Sequence, residues 1–158
     1  MTPAINTAKK ARVTHHVHKY KHDPRSQAYG LEAAEALGLA PAQVFKTLIA
    51  ELDGQTLAVA IIPVEAQLDM KLLAVAAGAK RADMADPRQA ERVTGYIRGG
   101  ISPIGQKRRL PTFIDAAAQS LPQVYVSAGR RGLEIELSPS DLAALTGASF
   151  APLSRGAA

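Results

Sequence analysis

Residues 44–62, VFKTLIAELDGQTLAVAII, contain two apolar runs that flank a short polar turn. The runs cover residues 44–52 and 57–62, and both are rich in side chains that suit a buried strand. Asp53-Gly54 between two such runs is a strong signal for a tight β-hairpin. The stretch therefore predicts an antiparallel strand pair.

Lys46 stands out inside the first run because strand residues alternate between two faces. In an extended strand it shares a face with Val44 and Leu48, and both of these are apolar. A lysine among such residues is costly to bury unless its amine meets a partner or a solvated cleft. Two readings stay open: a functional amine in a cleft, or an aliphatic stem that packs while its amine reaches the surface.

Helices and further strands are predicted on both sides of the hairpin. Capping residues and helix-ending glycines predict helices from Thr2 to about Lys10, over residues 31–37, from Asp69 to Gly78, from Asp86 to Gly95 and from Ser138 to Gly147. Alternating or apolar runs predict strands over residues 13–20, 124–127 and 133–137. This mixture predicts an α+β fold with a mixed, mainly antiparallel sheet. We expect a single domain over residues 1–158, since the length suits one core.

Composition excludes several functional classes. The chain has no cysteine, which rules out a disulfide scaffold, a thiolate zinc site and a cysteine nucleophile. It has no tryptophan and only 4% aromatic residues, so a wide stacking platform for single-stranded nucleic acid is not expected. The start has no apolar signal region, and the longest aliphatic stretch, 57–64, is too short to span a bilayer. We expect a soluble cytoplasmic protein that does not enter a membrane.

The net charge of +5 is concentrated in two segments. Residues 1–22 carry five basic and no acidic residues, and residues 98–109 carry four basic and no acidic residues. Such segments attract the phosphates of a polyanion without reading its sequence. The alternative is an ordinary solvated surface.

Residues 99–107, GGISPIGQK, form a glycine-rich loop. Glycines allow backbone N–H groups to approach a ligand closely, and such groups can bind a phosphate or a developing oxyanion. Gln106-Lys107 stands where a P-loop requires Lys-Ser/Thr, and Ser102 lacks the final glycine of a nucleophile elbow. The loop is therefore either a ligand-binding loop of another kind or a tight surface turn.

Two further clusters are weaker candidates. His16 and His18 share a strand face, but no carboxylate pattern supports a metal site, so we expect a polar sheet face and no metal. Glu134 and Glu136 also share a strand face, yet nothing suggests a sugar-binding cleft. Salt bridges to the preceding arginines are the preferred reading for Glu136.

Five segments in register resemble the YbaK/EbsC family. They are VFKTL (44–48), PVEAQLD (63–69), MADP (84–87), TGYIRGGISPIGQK (94–107) and RGLEIEL (131–137). The likeness covers nearly the whole chain and is greatest to the YbaK-type Cys-tRNA(Pro) deacylases, relatives of the editing domain of bacterial prolyl-tRNA synthetase. It implies the fold of that editing domain, with a partly barrel-like sheet and surrounding helices.

The resemblance also implies roles for particular residues. Lys46 matches the family's functional lysine, and the Gly-x-x-x-Pro loop of the family matches residues 99–103. The implied catalytic set is Lys46 with the backbone of Gly99, Gly100 and Ile101. The implied substrate-binding set is Tyr20, Tyr29, Thr47, Ser102, Pro103 and Glu134. Glu134 departs from the family, because members commonly carry an aspartate at that position.

The implied activity is removal of mischarged cysteine from tRNA(Pro), a trans-editing reaction that needs no cofactor. The resemblance implies that the substrate thiol attacks its own ester. The residues alone leave either the substrate or water as the nucleophile, because the chain offers no cysteine and no Ser-His-Asp set, so the enzyme is a lyase or a hydrolase accordingly. Implied partners are aminoacylated tRNA and, transiently, prolyl-tRNA synthetase; the oligomeric state stays open. The alternatives are a deacylase for another small amino acid, such as alanine on tRNA(Pro), and a non-catalytic tRNA-binding or regulatory module.

Overall fold

The computed structural model describes residues 1–26 and 28–155. Within these ranges the helices are α1 (Pro3–Ala11), α2 (Tyr29–Leu37), α3 (Met70–Ala77), α4 (Pro87–Thr94) and α5 (Pro139–Thr146), with short 3-10 helices at Pro41–Gln43 and Ala116–Ser120. The strands are β1 (His16–Lys19), β2 (Phe45–Leu52), β3 (Thr56–Pro63), β4 (Gln67–Leu68), β5 (Ala82–Met84), β6 (Thr112–Asp115), β7 (Val124–Arg130), β8 (Leu133–Leu137), β9 (Ser149–Ala151) and β10 (Ser154–Arg155).

The central hairpin forms as the sequence predicts. Strands β2 and β3 pair antiparallel in continuous register, from Phe45 opposite Pro63 to Leu52 opposite Thr56. Asp53 and Gly54, the first two of the three residues that link the strands, both adopt left-handed backbone, with φ of 53° and 66°, as a tight hairpin turn favours.

The described residues form three sheets, and the hairpin belongs to the largest of them. The largest has the order β5-β2-β3-β6-β9, in which β3-β6 and β6-β9 are parallel and the other pairs are antiparallel. The second, β1-β8-β7, and the third, β10-β4, are antiparallel throughout. The expected mixed, mainly antiparallel α+β fold is therefore confirmed. In the described ranges the sheets do not close into a barrel, so the barrel-like part of the expectation is not confirmed.

The main core lies between the two larger sheets. Apolar side chains from β2 and β3 meet those of β7 and β8, and helices α1, α4 and α5 complete this layer. A second cluster, on the other face of the large sheet, lies under α3. Strand β3 is consequently buried on both faces, which explains why its sequence is almost continuously apolar.

Local signals define the helix starts. Side chains cap α1, α3, α4 and α5 by accepting backbone N–H groups, as expected of Ser, Thr and Asp at this position. The caps are Thr2, Asp69, Asp86 and Ser138. The strand expected over residues 13–20 is shorter than predicted, because only His16–Lys19 pairs with β8. No helix in the described part of the chain is long and apolar enough to span a membrane.

Candidate active site

A cavity of about 450 Å³ opens beside the first half of β2. Its walls come from residues 45–49 of β2, the start of α2, the start of α4, the glycine-rich loop and the β7–β8 pair. Elements far apart in sequence thus meet around one space, which is of the size that holds small ligands in other proteins.

The cavity exists because β2 has a neighbour along only part of one edge. Strand β5 pairs with residues 50–52 of β2, and the Ala85 N–H donates to the Ile49 carbonyl at 3.0 Å just beyond that pairing. Among the described residues, no strand continues this pairing toward Phe45. The earlier residues of β2 therefore face the cavity instead of another strand.

Lys46 lies on this open part of β2 and lines the cavity. Its side chain is half-buried, and burial lowers the pKa of its amine below the usual 10.5. Within the described residues the amine makes no hydrogen bond or ion pair. The structure thus places an amine that has no partner among the described residues at the cavity wall, where it is available to an anionic or carbonyl-bearing ligand.

Glu134 supplies a buried carboxyl to the same cavity. It is only 6% exposed, and burial raises the pKa of this carboxyl to about 8. It forms no ion pair with the described residues. At neutral pH the group is therefore mainly protonated, and it can donate a hydrogen bond into the cavity.

Neighbouring residues on the β1-β8-β7 sheet make structural contacts instead. Glu136 accepts from, or pairs with, His18 Nε2 at 2.8 Å, so the expected salt bridge from Glu136 to an arginine is wrong. His18 lies opposite Glu134 on the adjacent strand, and its ring reaches diagonally to the Glu136 carboxylate. Arg130 instead ends β7, and Arg131 lies in the turn before β8. Among the residues described, no group of three or more potential ligands could hold a metal ion.

The glycine-rich loop reaches the cavity at two of its predicted residues. Gly99 and Ile101 both line it, and their N–H groups make no hydrogen bond within the described chain. Gly100 does not line the cavity, and its N–H already donates to the Ile97 carbonyl at 2.9 Å. Among residues 99–101, the Gly99 and Ile101 N–H groups are therefore the donors left without a partner in the described chain, whereas the Gly100 N–H is already bonded.

Ser102 and Pro103 lie away from the cavity. Ser102 is fully buried, its hydroxyl accepts the Ile104 N–H at 3.2 Å, and its carbonyl accepts from the Gln106 amide at 3.0 Å. Pro103 lines a separate cavity of about 140 Å³. Both residues shape the loop, and their assignment to substrate binding stays a prediction without support from the cavity walls.

Three more predicted residues line the cavity. Burial raises the pKa of the Tyr20 phenol, and the neighbouring Glu134 charge adds to this. The Tyr29 hydroxyl accepts a hydrogen bond from Arg131. Thr47 lines the cavity too, and its hydroxyl oxygen is buried without a hydrogen-bond partner in the described part of the chain.

Seven of the ten predicted site residues thus line one cavity. They are Tyr20, Tyr29, Lys46, Thr47, Gly99, Ile101 and Glu134. Sequence reasoning missed Ser127, which lies opposite Glu134 in the β7–β8 register, and Arg98 at the start of the loop. Ser127 could have been found from strand alternation, because it shares a face with Glu134 across the predicted hairpin.

The chain belongs to the aminoacyl-tRNA editing domain family, which it matches over residues 26–145. The resemblance to YbaK/EbsC proteins is confirmed. A relative from Enterococcus faecalis, "Putative Cys-tRNA(Pro)/Cys-tRNA(Cys) deacylase EbsC", is 43% identical over 120 residues, covering 76% of this chain and 73% of the relative.

Two further comparisons extend this likeness. A Bacillus subtilis relative, "Uncharacterized protein YwhH", is 27% identical over 111 residues, covering 70% of each chain. The crystal structure of "a putative trans-editing enzyme for prolyl tRNA synthetase" superposes with a TM-score of 0.81 at 25% identity, covering 97% of this chain and 93% of that one. The fold and the family are therefore those of aminoacyl-tRNA editing proteins.

Proposed function

We propose that this chain is a trans-editing deacylase that removes mischarged cysteine from Cys-tRNA(Pro). The cavity beside β2 is the observation that carries this proposal, because it combines a buried carboxyl with an amine and backbone amides that have no partner among the described residues. Its volume of about 450 Å³ is suited to a small aminoacyl group joined to a terminal nucleoside. The EbsC relative's name supports this substrate, because it includes Cys-tRNA(Pro) beside Cys-tRNA(Cys).

Each wall of the cavity has a role in this proposal. Lys46 anchors the 3′-terminal adenosine phosphate or stabilises charge at the ester. The N–H groups of Gly99 and Ile101 stabilise the oxyanion that forms on the carbonyl oxygen. Glu134, Tyr20, Tyr29 and Thr47 bind and orient the aminoacyl group, with the Glu134 carboxyl directed to its amine.

The nucleophile in this proposal is the thiol of the substrate. Its sulfur attacks the ester carbonyl, the bond to the ribose oxygen breaks, and the thiol proton passes to that oxygen. The products are a cysteine thiolactone and tRNA with a free 3′ hydroxyl. This route is supported by the cavity lining in the described chain, which contains Ser127 and Thr47 hydroxyls but no histidine to activate them.

The body of the tRNA is proposed to lie along the two basic segments. These segments are neighbours in space, because a Cβ at Gly105 would lie 2.7 Å from the Pro3 carbonyl oxygen and 2.9 Å from the Thr7 hydroxyl. This contact supports the proposal that the two segments present one phosphate-attracting side of a single domain over residues 1–158. Prolyl-tRNA synthetase is the proposed transient partner that delivers the tRNA, in the cytoplasm.

The test is an ester-loss assay with purified protein and Cys-, Ala- and Pro-tRNA(Pro). We expect loss of the cysteinyl ester and retention of the prolyl ester. Faster loss of the alanyl ester would replace cysteine by alanine as the substrate. Tight tRNA binding with no ester loss from any of the three would make the protein a non-catalytic tRNA-binding module.

A further inference from the structure

Arg131 ties together two walls of the cavity from outside it. It lies in the turn between β7 and β8, and its guanidinium donates to the Tyr29 hydroxyl and to the Arg98 carbonyl, the latter at 3.5 Å. The guanidinium carbon also lies 3.8 Å from the centroid of the Tyr29 ring. One side chain thus contacts both the start of α2 and the start of the glycine-rich loop.

The loop passes unusually close to this guanidinium. A Cβ at Gly99 would lie 2.2 Å from Arg131 Nε, and the backbone there has a φ of 89°. Glycine adopts this φ without strain, and a side chain here would also displace the guanidinium. The glycine that lines the cavity therefore also makes room for Arg131 behind the loop.

A second pair of residues holds Arg131 in place. Arg131 approaches His22 Nε2 at 3.3 Å, and His22 Nδ1 lies 2.7 Å from Glu32 Oε1. Because arginine has only donors, Nε2 must accept, so Nδ1 carries the proton and donates to Glu32. The other Glu32 oxygen accepts the Asp23 N–H at 2.9 Å, which fixes the carboxylate as well.

We propose that Arg131, oriented by His22 and Glu32, is a positioning residue that sets the spacing between Tyr29 and the glycine-rich loop. It would keep the Gly99 and Ile101 amides where the ester carbonyl must lie. The effect of Arg131 on catalysis depends on the proposed deacylase function. Its effect on the position of the loop is independent of that function. A displacement of about 1 Å at a reacting centre can lower a rate by roughly a hundredfold.

The first test replaces Arg131 by lysine, which keeps the charge but lacks the fork that contacts three groups at once. We expect the single-turnover rate on Cys-tRNA(Pro) to fall by about tenfold to a hundredfold while tRNA affinity stays within about threefold. Arg130→Lys is the matched control, since Arg130 is exposed and its side chain makes no hydrogen bond with the described residues. An unchanged rate in Arg131→Lys, or lost affinity at an unchanged rate, would overturn the positioning role.

The second test uses His22. Glutamine can still present an acceptor to Arg131, so His22→Gln should keep a rate closer to that of the unaltered protein than His22→Ala does. In the Arg131→Lys background, His22→Ala should cause little further loss, because both changes break the same connection. If the losses in rate from His22→Ala and Arg131→Lys add fully, or if His22→Gln and His22→Ala lose the same rate, His22 does not act through Arg131.

Hydrogen–deuterium exchange of the free protein separates this inference from the proposed function. Arg131→Lys should speed exchange in residues 97–102 without lowering the unfolding temperature, and Arg130→Lys should not. Unchanged exchange in both variants would overturn the bracing of the loop, whatever the enzyme assay shows. If exchange is faster in Arg131→Lys but the unaltered protein cleaves no ester, Arg131 still holds the loop in place and the proposed deacylase function is wrong.

Discussion

Replacing Glu134 by glutamine should stabilise the protein at neutral pH. The carboxyl is 6% exposed and has a pKa of about 8 in the folded state, against an ordinary value of 4.5. Between these values the folded protein binds a proton that the unfolded chain has released. The free energy of unfolding therefore falls as pH rises through this window.

The size of the effect follows from the difference in pKa. Each pH unit between the two pKa values lowers the free energy of unfolding by roughly 1.4 kcal/mol. The loss due to the Glu134 carboxyl is therefore on the order of 3 kcal/mol by pH 7 and about 5 kcal/mol above pH 8. Glutamine has a similar shape and cannot ionise. We expect Glu134→Gln to raise the free energy of unfolding by about 3 kcal/mol at pH 7 and to leave it nearly unchanged at pH 4.5.

Urea unfolding of both proteins at several pH values between 4.5 and 8.5 measures this difference. Glu35→Gln is the matched control, because Glu35 is an exposed carboxylate on α2. The control should follow the unaltered protein at every pH. A difference between Glu134→Gln and the unaltered protein that stays constant with pH would refute the reasoning, as would a lower stability of Glu134→Gln at pH 7.

Three further predictions concern activity, binding and stability. Lys46→Ala should abolish ester cleavage with unchanged thermal unfolding, since the amine has no partner within the described residues; cleavage at the unaltered rate would exclude Lys46 from the site. If four to six phosphates are contacted, tRNA affinity should fall with a log–log salt slope of roughly −3 to −5, and a flat titration would remove the basic segments from the interface. Asp115→Ala should lower the free energy of unfolding by about 1–3 kcal/mol, because the buried Asp115 carboxylate accepts the Leu153 N–H and the Ser154 hydroxyl, both at 2.9 Å. The exposed control Asp83→Ala should change stability little, and equal losses in urea unfolding would contradict the buried role of Asp115.

Features encoded by neighbouring residues were predictable from the sequence. The Asp53-Gly54 turn, the flanking strands and the Asp86-Pro87 helix start each depend on contacts within a few positions. The parallel pairing of β3 with β6 was not predictable in this way. Strand β6 has only four residues, Thr112–Asp115, and its partner lies about fifty positions earlier.

The site residues likewise divide into those that nearby sequence predicts and those that depend on contacts between distant residues. Lys46 was a candidate from alternation alone, because a charged residue on an apolar strand face is costly without a cleft. The Gly100 amide could not be assigned, since its bond to the Ile97 carbonyl depends on the path of the loop. Arg131 was missed as well, because its contacts with Tyr29 and His22 join residues about a hundred positions apart.

The most direct measurement compares single-turnover cleavage of cysteinyl- and seryl-tRNA(Pro) by the same enzyme. Serine has nearly the shape of cysteine but is a far poorer nucleophile at neutral pH. Well-oriented intramolecular attack can lower a barrier by ~7–11 kcal/mol, and serine cannot exploit this advantage to the same degree. If the substrate thiol attacks, seryl-tRNA(Pro) should bind but cleave very slowly, and alkylating the cysteinyl sulfur should block the reaction. Comparable rates for the two esters would contradict thiol attack and require an activated water.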